Sequence, residues 1–162
     1  MENKFEKIIY ETKTFKVIVN NKPHISREDG GHLRIKSKEK YFESRTDLSP
    51  EEAKEVMRLT MLIGEAMING MKNRGVNIER INYQDNGNWP YLKGNKPSFH
   101  IHLYGRVRNC TRQPFGESLY FPNPNDEYYN DLIPLDDEDI EAIQKQIKEL
   151  ENNEKYKIDN WK

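Results

Sequence analysis

The eight residues Ser98-Phe-His-Ile-His-Leu-Tyr-Gly105 constrain this chain more than any other stretch. Side chains alternate faces along a strand, so Phe99, Ile101 and Leu103 point one way while Ser98, His100, His102 and Tyr104 point the other. The first set needs an apolar layer over it. The second puts two of the chain's four histidines on one face, at the foot of a long loop. A sheet with a core on one side and a polar site on the other satisfies both demands.

The remaining patterning builds around that strand. Residues 7–19 read as β structure interrupted near Lys13-Thr14, and Asn20-Asn21-Lys22-Pro23 reads as a turn. Asp29-Gly30-Gly31 turns the chain again into an alternating strand, His32–Lys36, which Tyr41 and Phe42 are expected to prolong. Ser49-Pro-Glu-Glu52 is a helix start: Ser49 as N-cap, Pro50 at the first helical position, Glu52 closing a capping box. Ala53, Val56, Met57, Thr60, Ile63, Gly64, Met67, Ile68 and Met71 then form one stripe at helical spacing, and Gly75 stops the helix. The methionines of that stripe read as core filling. Residues 76–83 return as a strand, and Gln84–Pro97 form a loop long enough to carry function. Residues 108–135 read as irregular. A second helix opens at Leu135-Asp-Asp-Glu-Asp139, with Ile140, Ile143, Ile147 and Leu150 along one face, either docked on the rest of the chain or facing a second copy.

Composition excludes several classes. The 162 residues suffice for one domain with a core. Lys and Arg number 26 against 27 Asp and Glu, a net charge of −1, so no basic nucleic-acid footprint is expected. The one cysteine, Cys110, rules out an intrachain disulfide and a cysteine-based zinc site. Met1-Glu-Asn-Lys-Phe5 lacks a signal peptide's apolar run, and no apolar stretch is long enough to span a bilayer. A soluble cytoplasmic protein is expected, with neither membrane nor nucleic acid as partner.

Two imidazoles two residues apart have two chemical uses. They can ligate a metal with a third ligand from elsewhere. Alternatively, a neutral imidazole attacks phosphorus as a nucleophile while a protonated neighbour neutralises charge and protonates the leaving group. Either use needs a partner from another segment, and His32 follows a flexible Gly30-Gly31. Gly94, His100 and His102 also match the opening of a cupin metal signature, although Arg106 and Val107 stand where its glutamate would be.

Gly31-His-Leu-Arg-Ile35, Asp47-Leu-Ser-Pro-Glu-Glu-Ala53 at a helix start, a strand ending near Asn82, and Ser98–Gly105 together resemble the histidine-triad (HIT) nucleotide-binding family. The resemblance spans about residues 8–106. It implies an α+β, HIT-like fold: an antiparallel sheet of about five strands, one long helix, and a C-terminal extension carrying a second helix. The domain reading is residues 1–106 as the HIT-like unit, with 107–162 packed on it. Aligning Gly105 with the family's glycine puts Ser98 at the first triad histidine, His100 at the middle and His102 at the last. A register with Tyr104 at the third position misplaces the glycine and the apolar pair.

The family's middle histidine is the nucleophile, so His100 would carry a nucleotidyl intermediate, assisted by His102, with Ser98 supplying a backbone carbonyl. The substrate-binding set implied is His24, Ile25, His32, Asn82, Asn95 and Lys96; Lys93 and Arg106 could add positive charge, and Trp89 and Tyr91 could cover a base, close the loop or pack the C-terminal segment. No metal or other cofactor is required by that mechanism, and a homodimer is implied. The expected activity is a hydrolase or transferase acting on a nucleoside phosphoramidate or dinucleoside polyphosphate; the alternative is a binding module of the same fold. His24 stands where the family usually has a ribose-binding Asp, and imidazole holds a pair of hydroxyls poorly.

Overall fold

At Thr12–Thr14 the chain reverses, with the Thr12 amide donating to the Phe15 carbonyl at 2.8 Å. This pairs Glu6–Glu11 (β1) with Phe15–Asn20 (β2). Three more strands, His32–Ser37 (β3), Arg80–Gln84 (β4) and His100–Arg106 (β5), complete an antiparallel sheet in the order β1-β2-β3-β5-β4. The computed structural model describes residues 6–162; the N-terminal pentapeptide Met1–Phe5 lies outside the described residues.

The long helix, Pro50–Asn73 (α1), starts as its sequence demands. Ser49 accepts from the Glu52 amide and Glu52 accepts from the Ser49 amide. Its buried face, including Leu59, Leu62, Ile63, Ala66 and Met67, covers Val17, Val19, Leu33, Ile35, Ile101 and Leu103 of the sheet. At about 100° per residue, Ala53 and Met57 fall on the flank of that face and stay exposed. Met67 and Met71 are core, whereas Met57 is not.

Three strand boundaries differ from expectation. The sheet ends at Ser37, so Tyr41 is exposed, while Phe42 packs against Phe15 and its carbonyl accepts from the Phe99 amide. The strand expected over 76–83 begins only at Arg80; Val76 and Ile78 are buried without ladder pairing. The strand expected from Ser98 begins at His100. The open sheet, with edges at β1 and β4 and a long helix on one face, is not a cupin barrel.

Asp137–Glu151 (α2) docks on α1, resolving the two uses of its apolar face. Ile140, Ile143 and Ile147 are buried in the common core. Gly70 permits the close crossing, since a Cβ there would lie 2.9 Å from the backbone of Ile143. Arg27 clamps the helix start through a two-pronged pair with the fully buried Asp139, at 2.6 and 2.7 Å. Residues 107–136 are irregular apart from a short 3-10 turn at Glu127–Tyr129. The buried Arg106 guanidinium organises this segment by donating to the carbonyls of Gln113, Pro114 and Glu117. Among the described residues, no helix is long and apolar enough to cross a membrane.

Candidate active site

Helices cover one face of the sheet; the chemistry collects on the other. Antiparallel pairing sets His32 opposite Tyr104, Arg34 opposite His102 and Lys36 opposite His100. From β4, Asn82 lies opposite Tyr104 and Gln84 opposite His102. Residues so paired project to the same side. Gly30 and Gly105 bring the turn before β3 onto β5. Gly30 has φ +119°, and a Cβ on it would lie 2.4 Å from the Gly105 carbonyl carbon.

Hydrogen bonds assign the protons. The His24 amide N–H donates to His32 Nδ1 at 3.2 Å, so the His32 proton sits on Nε2. His32 Nε2 lies 2.8 Å from His102 Nδ1 and must donate to it. A neutral His102 therefore carries its proton on Nε2, and that buried atom has no partner. His100 is fixed oppositely. Its Nδ1–H donates to the Ser98 carbonyl at 2.8 Å, leaving Nε2 as a bare lone pair. The two rings meet edge to face, centroids 4.7 Å apart. The pair is asymmetric: one ring offers a lone pair, the other a proton.

Burial keeps these rings neutral. It is the largest cause depressing the pKa of all four histidines. His24 falls to about 4, with Arg34 and His100 adding to the effect of burial. His32 lies well below the ordinary value, and His102 is strongly depressed by burial and then by His100, His24 and Arg34. His100 is lowered by burial, then by Arg34 and Lys36, against the opposing pull of the Ser98 carbonyl and Asp85. Burial also holds the Tyr104 phenol in its protonated form.

Among the described residues, three buried side-chain nitrogens lack a partner: His102 Nε2, Arg34 Nε and Asn86 Nδ2. Arg34 stands across from His102, and Asn86 lies beside the Tyr104 hydroxyl. A folded protein rarely strands buried donors, and three at one face mark a place for an acceptor-rich ligand. Neither Arg34 nor Asn86 was expected from the sequence. Arg34 could have been found, because the β3 alternation that points His32 at the site points Arg34 and Lys36 there too.

Other expected residues divide. Ser98, His100, His102, His32, His24 and Asn82 come together. His24 Nδ1 bonds the Tyr104 hydroxyl at 2.8 Å, and its ring is enclosed by Trp89, Phe121 and Tyr129 at centroid distances of 5.1–5.8 Å. Trp89 also meets Phe121 edge to face, so it packs on the C-terminal segment, whereas Tyr91 is exposed. Ile25 is buried. Lys93, Asn95 and Lys96 are exposed on the loop. Arg106 does not supply positive charge to the histidines, since its guanidinium is spent on the carbonyls of the C-terminal segment.

The three-histidine set His24, His32 and His102 has potential metal-ligand atoms within 4.8 Å of one another. His32 already uses both ring nitrogens, so a cation could bind all three rings only by breaking the His24–His32–His102 chain. The donor set fits a line of neutral imidazoles. A hollow of about 560 Å³ between Tyr10, Lys54, Arg58 and Trp161 is lined by no histidine.

No protein-family model matches the sequence, and no curated protein does. The fold does have solved counterparts. A hypothetical histidine triad nucleotide-binding protein from Sulfolobus tokodaii superposes with a TM-score of 0.55 at 17% identity, covering 93% of this chain and 89% of the other. A zinc-bound histidine triad family protein from Mycobacterium smegmatis gives 0.55 at 16% identity, covering 91% and 87%. A HIT-like protein involved in cell-cycle regulation from Bartonella henselae gives 0.53 at 15%, covering 89% and 85%. These likenesses define an HIT-like α+β fold.

Proposed function

We propose that the chain is a hydrolase or transferase acting on a nucleoside phosphoramidate or dinucleoside polyphosphate through a covalent intermediate at His100. The carrying observation is the proton asymmetry of His100 and His102. The His100 Nε2 lone pair forms a bond to phosphorus, and the bond from phosphorus to the leaving group breaks, its electron pair going with that group. The ring then becomes a cation whose Nδ1–H is held by the Ser98 carbonyl. The orphan His102 Nε2–H donates to the phosphoryl oxygen or to the departing atom. Water next attacks phosphorus and releases one proton, to solvent or to the departed amine, while the bond to His100 breaks with its electron pair returning to Nε2 and the neutral imidazole is restored. Another nucleophile in place of water makes the reaction a transfer. Serine in the first triad position preserves this chemistry, because a backbone carbonyl does the holding.

Asn82 and the buried Asn86 amide would take phosphate oxygens. The reading needs no metal or other cofactor and places the enzyme in the cytoplasm. It also carries a two-fold dimer through the free edge of β4, beside which Met57 and Tyr83 are exposed; sedimentation at micromolar concentration tests it. Incubation with adenylated amines and dinucleotides, followed by intact mass, should find the nucleotidyl adduct on the parent protein and none on His100→Ala. Full turnover by His100→Ala contradicts the reading.

His24 favours a second reading, a binding module without useful turnover. Its Nδ1 is engaged by Tyr104 and its faces are packed by aromatics, so no carboxylate stands ready for a ribose. Calorimetry showing nucleotide binding, with no product after prolonged incubation, would select it.

A further inference from the structure

Two cations flank the histidine pair, and neither belongs to the mechanism above. Arg34 and Lys36 alternate with Ile35, so both leave the core and share the histidine face. Arg34 stands across from His102 and Lys36 across from His100. The Arg34 side chain is only 21% exposed. One of its terminal nitrogens bonds Glu6 of β1, and its Nε is buried with no acceptor. Lys36 Nζ reaches the same carboxylate at 2.8 and 3.1 Å. With the histidines neutral, Glu6 alone pairs both cations, while Asp85, the carboxylate that acts on His100, stands against Arg45 at 3.8 Å.

The Arg34 fork is built to grip two oxygens, yet Glu6 occupies only its outer prong. Lys36 keeps one further N–H donor. Glu6 itself sits at the start of the edge strand with only 11% of its side chain exposed, so an incoming anion must replace its bonds to both cations to release it. The cluster has the composition of an anion site whose own chain supplies a replaceable counterion.

We propose that Arg34 and Lys36 form a second anion subsite beside the histidine pair, where the substrate's charged leaving group displaces Glu6, so that the site prefers phosphoanhydrides to phosphoramidates of neutral amines. This rests on the reading of His100 as the nucleophile. In the reaction, the anhydride P–O bond breaks, and its electron pair leaves on a phosphate oxygen that Arg34 and Lys36 neutralise. Such a leaving group departs as an anion and needs no proton, whereas an amine must take one from solvent, because neutral His102 can hydrogen-bond through its Nε2–H but would become an imidazolate on releasing it.

Inorganic pyrophosphate and orthophosphate separate the two subsites without requiring turnover. Calorimetric titration of the full chain should find pyrophosphate binding at least about tenfold tighter than orthophosphate. Arg34→Gln and Lys36→Gln should each erase most of that preference, while Glu6→Gln tightens pyrophosphate several-fold by removing the competing carboxylate. Should Arg34→Gln fail to fold, Arg34→Lys, which keeps the charge and loses the fork, decides together with Lys36→Gln. Equal affinity of the parent protein for the two ions overturns the proposal, as does a preference that survives both cation substitutions. Unchanged or weaker pyrophosphate binding in Glu6→Gln overturns the exchange. An adduct at His100 from an adenylated amine, with no pyrophosphate preference, rejects the subsite and leaves the proposed function standing. An Arg34-dependent preference with no adduct from any substrate does the reverse.

Discussion

The two faces of β5 are both largely shielded from water, yet they are built on opposite terms. On the helix side, Ile101 and Leu103 meet other apolar groups. Across the backbone, His102 and Tyr104 are equally enclosed, but among imidazoles, a guanidinium and a phenol. Burial stabilises the first face directly. On the second it costs free energy that hydrogen bonds only partly return, and donors at His102, Arg34 and Asn86 remain unpaired. The first face accounts for why the sheet holds together; the second keeps rings neutral and donors waiting.

That contrast can be broken one residue at a time. The largest effect belongs to the polar face: His100→Ala should cut turnover at least a thousandfold, about 4 kcal/mol of barrier, while moving the melting temperature little. Parallel assays of rate and thermal unfolding check both halves. Leu103→Ala should do the opposite, costing about 2–5 kcal/mol of stability in urea unfolding through the cavity it opens between sheet and α1.

Acid should strike the polar face first. A histidine whose folded pKa lies near 4 and whose unfolded value is about 6.5 leaves the unfolded state binding more protons between those values. Stability from keeping His24 neutral is therefore fully present above pH ~6.5 and is lost as pH falls toward 4, on the order of 3 kcal/mol for this residue alone. Denaturant titrations across that range measure it; His24→Gln, which cannot ionise, should flatten the curve. Because the His100 pKa is also lowered, the acid limb of kcat/KM should lie below that of an ordinary imidazole.

The helix-facing side was the more legible from sequence, for a physical reason. Alternation and helical spacing report apolar burial, so α1, the β5 core face and the α2 stripe were all visible. Ser98–Gly105 likewise placed His100 and His102 together. Hidden from that reasoning was everything set by long-range register. Arg34 opposite His102, Glu6 reaching Arg34 and Lys36, and His24 seated among Trp89, Phe121 and Tyr129 depend on strands and loops distant in sequence. Arg106 shows the converse error. Proximity in sequence suggested a phosphate ligand, and its guanidinium instead organises residues 113–117.

The smallest predicted effect is also pointed. Since the Ser98 carbonyl, not its hydroxyl, holds His100, Ser98→Ala should change turnover by less than about threefold. A much larger loss in steady-state assays would assign the hydroxyl a role that the carbonyl bond does not explain.

The central claim is that His100 and His102 are opposite tautomers fixed by their hydrogen bonds, and nitrogen NMR of the histidine rings near neutral pH reads this directly. The account predicts a protonated Nδ1 and bare Nε2 on His100, with protonated Nε2 and bare Nδ1 on both His32 and His102. A proton on His100 Nε2, or the same tautomer on His100 and His102, would contradict it.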